Sequence, residues 1–184
     1  MAFLSTPRAA VFRPALKCGS RAAKIVMRER GGRRRELTMI ARSEWTSTEA
    51  SPDIYVGHSQ SGHTIRFDAT KEHAQGPSPM EAVLMALCGC TSVDVVSILQ
   101  KKRQPLASLT VSAEAEQSPA PPRTFTRIRL VYKVTALPGE RLSLKAVKDA
   151  VALSKGKYCS VSKMLEKSAV MDCDVEIVGE EPLP

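Results

Sequence analysis

Residues 78–103, SPMEAVLMALCGCTSVDVVSILQKKR, constrain the fold of this chain more than any other stretch. Ser78 can accept a free amide of the first helical turn, Pro79 suits a first helical position because it has no amide to satisfy, and Glu81 can reach back to the Ser78 amide. Together these complete a capping box with proline just inside it. From there Met80, Val83, Leu84, Leu87, Cys90, Thr91, Val95 and Ile98 recur at spacings of three and four, and the first charge after Glu81 is Asp94. The spacing predicts one long central helix, apolar and buried on nearly all sides. Lys101, Lys102 and Arg103 suit the negative end of its dipole, and Pro105 prevents continuation. Gly89, in mid-helix, costs about 1 kcal/mol relative to alanine, so a close neighbour is expected there.

The segments around this helix alternate. Residues 40–46 read as a strand carrying Trp45, and residues 54–57 and 63–68 as a hairpin joined by the polar turn HSQSG, with Ile65 and Phe67 on one face. Residues 70–78 form the loop into the helix. In LASLTVSAEAEQ, Leu109, Val111, Ala113 and Ala115 fall on one face and Thr110, Ser112, Glu114 and Glu116 on the other. TFTRIRLVYKVTA sets Ile128, Leu130, Tyr132 and Val134 against Phe125, Arg127, Arg129, Val131 and Lys133, and the two runs make a long hairpin across SPAPPR. Ser143 can cap a helix over residues 144–155 that stops at Gly156, a second short helix covers about 160–167 with Cys159 at its start, and residues 171–178 form a closing strand. Strands, helix, strands, helices and strand in that order point to an α+β fold with antiparallel sheets.

Charge is placed unevenly. Up to Ser43 there are eleven Lys and Arg against Glu29 and Glu36, so the net +8 of the chain resides in its beginning and the remainder is nearly neutral. A nucleic-acid partner is therefore not expected for the folded part. Residues 1–38, rich in Arg, Ala, Ser and Pro with no acid before Glu29, read as a transit peptide for a mitochondrial or chloroplast matrix, and residues 39–184 as the folded domain. If the leader is only a basic tail, or translation starts at Met27 or Met39, the protein is cytoplasmic. No membrane span is expected.

Five cysteines without regular spacing do not form a disulfide framework. Cys88 falls on a different helix face from Cys90 and reads as packing. His58, His63 and His73 lie in or beside loops in no ligand spacing, so neither metal nor cofactor is expected, and Lys155, Gly156 and Lys157 lack the rest of a phosphate loop. Cys90 in the central helix and Cys159 at a helix entrance are the two thiols whose surroundings could tune them. A helix N-terminus with Lys157 and Lys163 would favour thiolate at Cys159, whereas Asp94, one turn after Cys90, would if ionised disfavour thiolate at Cys90. On residue type alone both remain readable as buried, unreactive cysteines.

The run GPSPMEAVLMALCGCTSVDVVSILQKKRQ, followed later by KYCSVSKMLEKS, resembles the OsmC/Ohr superfamily of organic hydroperoxide resistance and osmotically induced proteins, most closely its YhfA-like branch. The family opens its central helix with an N-P or S-P turn and places a cysteine eleven residues after the proline, as Pro79 and Cys90 stand here; Cys159, Ser160, Val161 and Ser162 match its second motif. The resemblance covers roughly residues 40–178. It implies an intertwined homodimer whose two central helices are buried between sheets, with an active site at each subunit interface. It also implies a thiol peroxidase acting on organic hydroperoxides. Cys90 would attack the O–O bond and become a sulfenic acid, Cys159 would resolve it to a disulfide, and an external dithiol, of lipoyl type, would reduce that disulfide without any bound cofactor.

Two departures bear on this. Family members active on hydroperoxides carry a Glu directly after the helix-opening proline, where this chain has Met80. Glu81, one residue later, falls on the helix face opposite Cys90 and is explained by capping. The family also brings an Arg to the sulfur from an N-terminal loop, for which Arg66 is the nearest candidate. The alternative is an OsmC-like module that binds a small apolar ligand without peroxidase activity, its cysteines incidental.

Overall fold

The computed structural model describes residues 39–46 and 53–179; the expected transit peptide lies outside them. Three short strands come first, β1 (Ala41–Trp45), β2 (Ile54–Ser59) and β3 (Thr64–Asp68), antiparallel in that order. Their register sets Trp45 against Tyr55 and Tyr55 against Phe67, with Gly57 against Ile65, so one face carries three aromatic rings and an isoleucine. Trp45 and Tyr55 remain partly exposed, because the contacts of this sheet lie almost wholly within itself. His58 belongs to β2 rather than to a loop, and its Nε2 lies 3.2 Å from a Glu44 carboxylate oxygen.

The loop of residues 69–77 is tied to the end of β3 by Asp68. This buried carboxylate accepts the Thr70 amide at 2.8 Å and the Gln75 amide at 2.9 Å, while the Asp68 amide donates to the Pro77 carbonyl at 3.1 Å. A Cβ on Gly76 would collide with the Arg66 carbonyl oxygen, so glycine lets the loop lie against the strand. These bonds to the ionised form hold the Asp68 carboxyl below its ordinary range, the Thr70 and Gln75 contacts being the main causes. Because the folded-state value is depressed, the stabilisation is complete above the unfolded value of about 3.9 and is lost as pH falls through the folded one. Asp68→Asn is therefore expected to lower the melting temperature near neutral pH, with the gap from the wild type closing only as pH falls from ~4 through the depressed folded-state value. Thermal melts at several pH values check this; a gap independent of pH would contradict it.

α1 (Pro79–Lys101) begins as the capping residues dictate: the Glu81 amide donates to Ser78 Oγ at 3.2 Å and the Ser78 amide to Glu81 Oε2 at 2.7 Å. It ends with Lys102 as C-cap and Arg103 at a positive φ of 54°. Its 23 residues are long and apolar enough to cross a membrane, with a mean hydropathy of 2.1 in the most apolar window, contrary to the sequence-based expectation that no segment would be. Yet it packs on the second sheet and the later helices, and it is a core helix of the domain. The burial expected on nearly all sides is not reached within one chain. Leu87, Thr91, Val95 and Leu99 form a single buried stripe, while Met85 and Val93 on the opposite face are 57% and 72% exposed. The close neighbour expected at Gly89 is also absent among the described residues of this chain, where an added Cβ would meet nothing within 4 Å.

β4 (Leu106–Gln117) and β5 (Phe125–Ala136) pair antiparallel as the long hairpin, and β6 (Val170–Val178) lies on the far side of β5. The inner face carries Ile128, Leu130, Tyr132 and Val134 from β5 and Met171 from β6 against α1 and the later helices. Each fully buried side chain of this kind contributes about 1.5–3 kcal/mol. Phe125 departs from the expected alternation: a register shift at Glu116/Gln117 pairs it with Gln117 and turns it into the core. The outer face alternates sign, with ion pairs Arg127–Asp172 and Arg129–Asp174 at 2.7 Å and Lys133–Glu176 at 3.2 Å. Exposed pairs of this kind add little stability, and they suit a face turned to water.

The second sheet is not wholly antiparallel, since β5 and β6 run parallel. The reason is the crossover between them, α2 (Leu144–Leu153), a π-helical turn (Ser154–Tyr158) and α3 (Ser160–Leu165), which returns the chain to the end where β5 began. The helix expected to stop at Gly156 instead widens to i→i+5 bonding and runs on through it to Tyr158, with the Cys159 amide donating to the Ser154 carbonyl at 2.9 Å.

Candidate functional site

The π-helical turn positions the chemistry. An extra residue within one turn shifts the register, so that Ser154 at its start is fully buried against α1 and Cys159 just after its end is fully buried as the N-cap of α3. From the other side, Cys90 and Asp94 lie one turn apart on α1. The Sγ atoms of Cys90 and Cys159 and a carboxylate oxygen of Asp94 all lie within 4.8 Å of one another, although the cysteines are 69 residues apart in sequence. Both cysteines are free thiols.

A one-way chain of hydroxyls holds Asp94. The Ser154 hydroxyl donates to Asp94 Oδ2 at 2.9 Å. Its single proton is then spent, so in the 2.9 Å contact with Thr91 the Thr91 hydroxyl must donate to Ser154. By the same count Tyr132 Oη donates to Thr91 Oγ1 at 2.8 Å. All three hydroxyl residues are buried, which makes each bond costly to lose. Burial pushes the Tyr132 phenol up, so it stays a donor.

The two sulfurs are not equivalent. Cys90 is half-buried and Cys159 has no exposed surface, so a small molecule from solvent meets Cys90 first. Burial pushes the Cys159 thiol up, and the Ser162 amide, which donates to its Sγ at 3.4 Å, only partly opposes this. That corrects the expectation of a thiolate favoured at Cys159 by the helix end and two lysines. Lys157 instead lies over the Tyr158 ring at 5.3 Å, and Lys163 Nζ donates to Glu166 at 2.8 Å. Cys88 and Cys173 are likewise pushed up by burial and belong to the rim of the core.

Of the other sequence candidates, Glu81 serves the capping box at the start of α1. Arg66 is exposed, and its Nη1 donates to Gln75 Oε1 at 3.0 Å. Among the described residues of one chain, Glu81 does not belong to the cluster around Cys90. Asp94 does, together with Ser154, Thr91 and Tyr132, which sequence reading missed. The buried polar Thr91 inside an apolar stripe was the available signal. Beside the cluster, Val93, Asp94, Ser97, Ile98, Lys101, Lys102, Leu153 and Tyr158 line a groove of about 400 Å³.

The profile of OsmC-like proteins matches residues 71–174. Protein YhfA of Escherichia coli K12 is 44% identical over 141 residues, covering 77% of this chain and 99% of YhfA. An OsmC like protein from Mycoplasma pneumoniae superposes with a TM-score of 0.64 at 18% identity, over 77% of this chain and 98% of the other. An organic hydroperoxide resistance protein OsmC from Legionella pneumophila gives 0.56 at 14% identity, over 76% and 96%. These last two establish the fold alone. The helix entered through Ser78 and Pro79, the two three-stranded sheets and the sequence matches agree, and the chain belongs to the OsmC-like family.

Proposed function

We propose that the protein is a homodimeric, thiol-dependent peroxidase of organic hydroperoxides, in which Cys90 attacks and Cys159 resolves. Membership of the OsmC/Ohr family supports a role connected with oxidative stress. The single observation that carries the finer reading is the approach of the two free sulfurs to within 4.8 Å. The partly exposed Cys90 thiolate takes the distal hydroperoxide oxygen, the O–O bond breaks, and the alkoxide leaves as alcohol after protonation. The sulfenic acid formed on Cys90 then meets Cys159, whose attack expels water and closes the disulfide. A dithiol, of lipoyl type, restores both thiols by exchange.

Three features support the dimer. The face of α1 carrying Met85, Gly89 and Val93, the empty space around Gly89, and the aromatic face of the β1–β3 sheet all leave apolar surface uncovered in a single chain. A second copy would also be the route by which an arginine such as Arg66 reaches the sulfur. Within the same reading, residues 1–38 direct the protein to an organelle matrix and take no part in assembly. The groove beside Asp94 favours the second reading, binding of a small ligand without turnover.

Peptide mapping of the full chain after one equivalent of cumene hydroperoxide tests the pairing. A Cys90–Cys159 disulfide is the expected product. Oxidation that ends as a sulfinic acid on Cys90, or a disulfide through Cys88 or Cys173, would remove Cys159 as the resolving thiol.

A further inference from the structure

Two thiols and a carboxylate converging on one point are also a set of metal ligands, here with supports behind two of the three. We propose that the reduced Cys90–Asp94–Cys159 cluster binds a divalent cation of borderline softness, Zn²⁺ or its surrogate Co²⁺, through two sulfurs and one oxygen, with a fourth position open to water. Tetrahedral zinc with bonds of about 2.3 Å to sulfur and 2.0–2.2 Å to oxygen holds its donors roughly 3.5–3.8 Å apart. The three donor atoms already lie within 4.8 Å of one another, so a shift of about 1 Å by side-chain rotation closes the set.

The surroundings match what such a site needs outside its ligands. Asp94 Oδ2 is oriented by the Ser154 hydroxyl at 2.9 Å, itself fixed through Thr91 to Tyr132. Cys159 Sγ receives the Ser162 amide at 3.4 Å, a contact that stabilises a coordinated thiolate. Two soft donors and one hard donor select zinc or cobalt over magnesium or calcium, which take oxygen ligands. The half-buried Cys90 and Asp94 leave a path for the ion. The expectation of no metal rested on histidine spacing, and this site escapes it because one ligand comes from a distant turn.

Binding does not depend on the peroxidase reading, but its consequence does. The same two sulfurs cannot serve a metal and a disulfide at once. A hydroperoxide that takes two electrons from the zinc-bound dithiolate, with two protons from solvent, yields alcohol, water and the Cys90–Cys159 disulfide, and frees Zn²⁺ unchanged.

The test is titration of the reduced, metal-free full chain with Co²⁺, read by tetrahedral ligand-field bands and sulfur-to-cobalt charge transfer, followed by displacement with Zn²⁺ against a chromophoric chelator. One equivalent per chain is expected, retained when Cys18, Cys88 and Cys173 are serine. Cys90→Ser should abolish the charge-transfer band, and Asp94→Asn should weaken affinity at least about 10-fold. Ser154→Ala, which touches no metal, should weaken it by about 10–100-fold. Absence of thiolate-bound cobalt in the reduced wild type, or an unchanged spectrum in Cys90→Ser, would overturn the site. Asp94→Asn keeps the volume of the side chain and guards against a folding failure in the cysteine variant; unchanged affinity there would remove Asp94 as a ligand. Peroxide consumption measured separately in chelator is independent of these outcomes, so loss of one reading leaves the other standing.

Discussion

A Val93→Asp chain is expected to sediment as a monomer at micromolar concentration, where the proposed interface predicts a dimer for the wild type. In a single chain Val93 is 72% exposed, and a charge at such a surface position changes stability by no more than about 0.5 kcal/mol. In a dry contact between two central helices the same carboxylate is buried and unpaired, at about 3–5 kcal/mol, and two-fold symmetry brings it in twice. The site lies on the stripe of Met85, Gly89 and Val93, opposite the stripe of Leu87, Thr91, Val95 and Leu99 that the chain buries by itself. The substitution therefore separates assembly from folding. Sedimentation velocity with circular dichroism reads both. A wild type that is monomeric, or a variant that stays dimeric, would contradict the proposed interface and with it the placement of Cys90 beside a second subunit.

Thr91→Val should lower the unfolding free energy by about 2–4 kcal/mol, and Thr91→Ser by only about 1 kcal/mol. Valine keeps the shape of threonine but removes the hydroxyl, leaving Tyr132 Oη without its acceptor and Ser154 Oγ without its donor in a fully buried place. Serine keeps both bonds and loses one methyl group. The order of the two variants carries the argument: a hydroxyl chain makes valine the worse, whereas simple packing makes serine the worse. Urea unfolding of the two variants decides between these. The effect should also reach the site, since Asp94 is held through Ser154.

Local chemistry explains which parts could be read in the sequence. The start of α1 was legible because Ser78, Pro79 and Glu81 specify it within one turn, and the hairpin of β4 and β5 because its faces alternate from Leu109 to Glu116 and from Arg127 to Val134. Direction of β6 was not, since a strand looks the same parallel or antiparallel and only the length and course of the crossover decide. Gly156 misled for a definite reason. It has the residue type of a helix stop, but the structure uses neither a left-handed conformation nor close approach there, and the chain widens into a π turn. The pairing of Cys90 with Cys159 followed from the resemblance to OsmC proteins rather than from spacing. The hydroxyl chain that joins Tyr132, Thr91, Ser154 and Asp94 spans separations of 41, 63 and 60 residues and had no local signature at all. Burial of Cys159 likewise reverses what its neighbours in sequence imply, because the lysines find other partners and the core takes the sulfur.

Stopped-flow consumption of cumene hydroperoxide by the reduced protein, with dihydrolipoamide as the recycling dithiol and Cys90→Ser as the comparison, tests the peroxidase reading most directly. The wild type should turn over repeatedly, and Cys90→Ser should fall to the rate of hydroperoxide and dithiol without protein. Equal rates in the two chains would remove Cys90 as the attacking thiol and leave the groove beside Asp94 as a ligand-binding site.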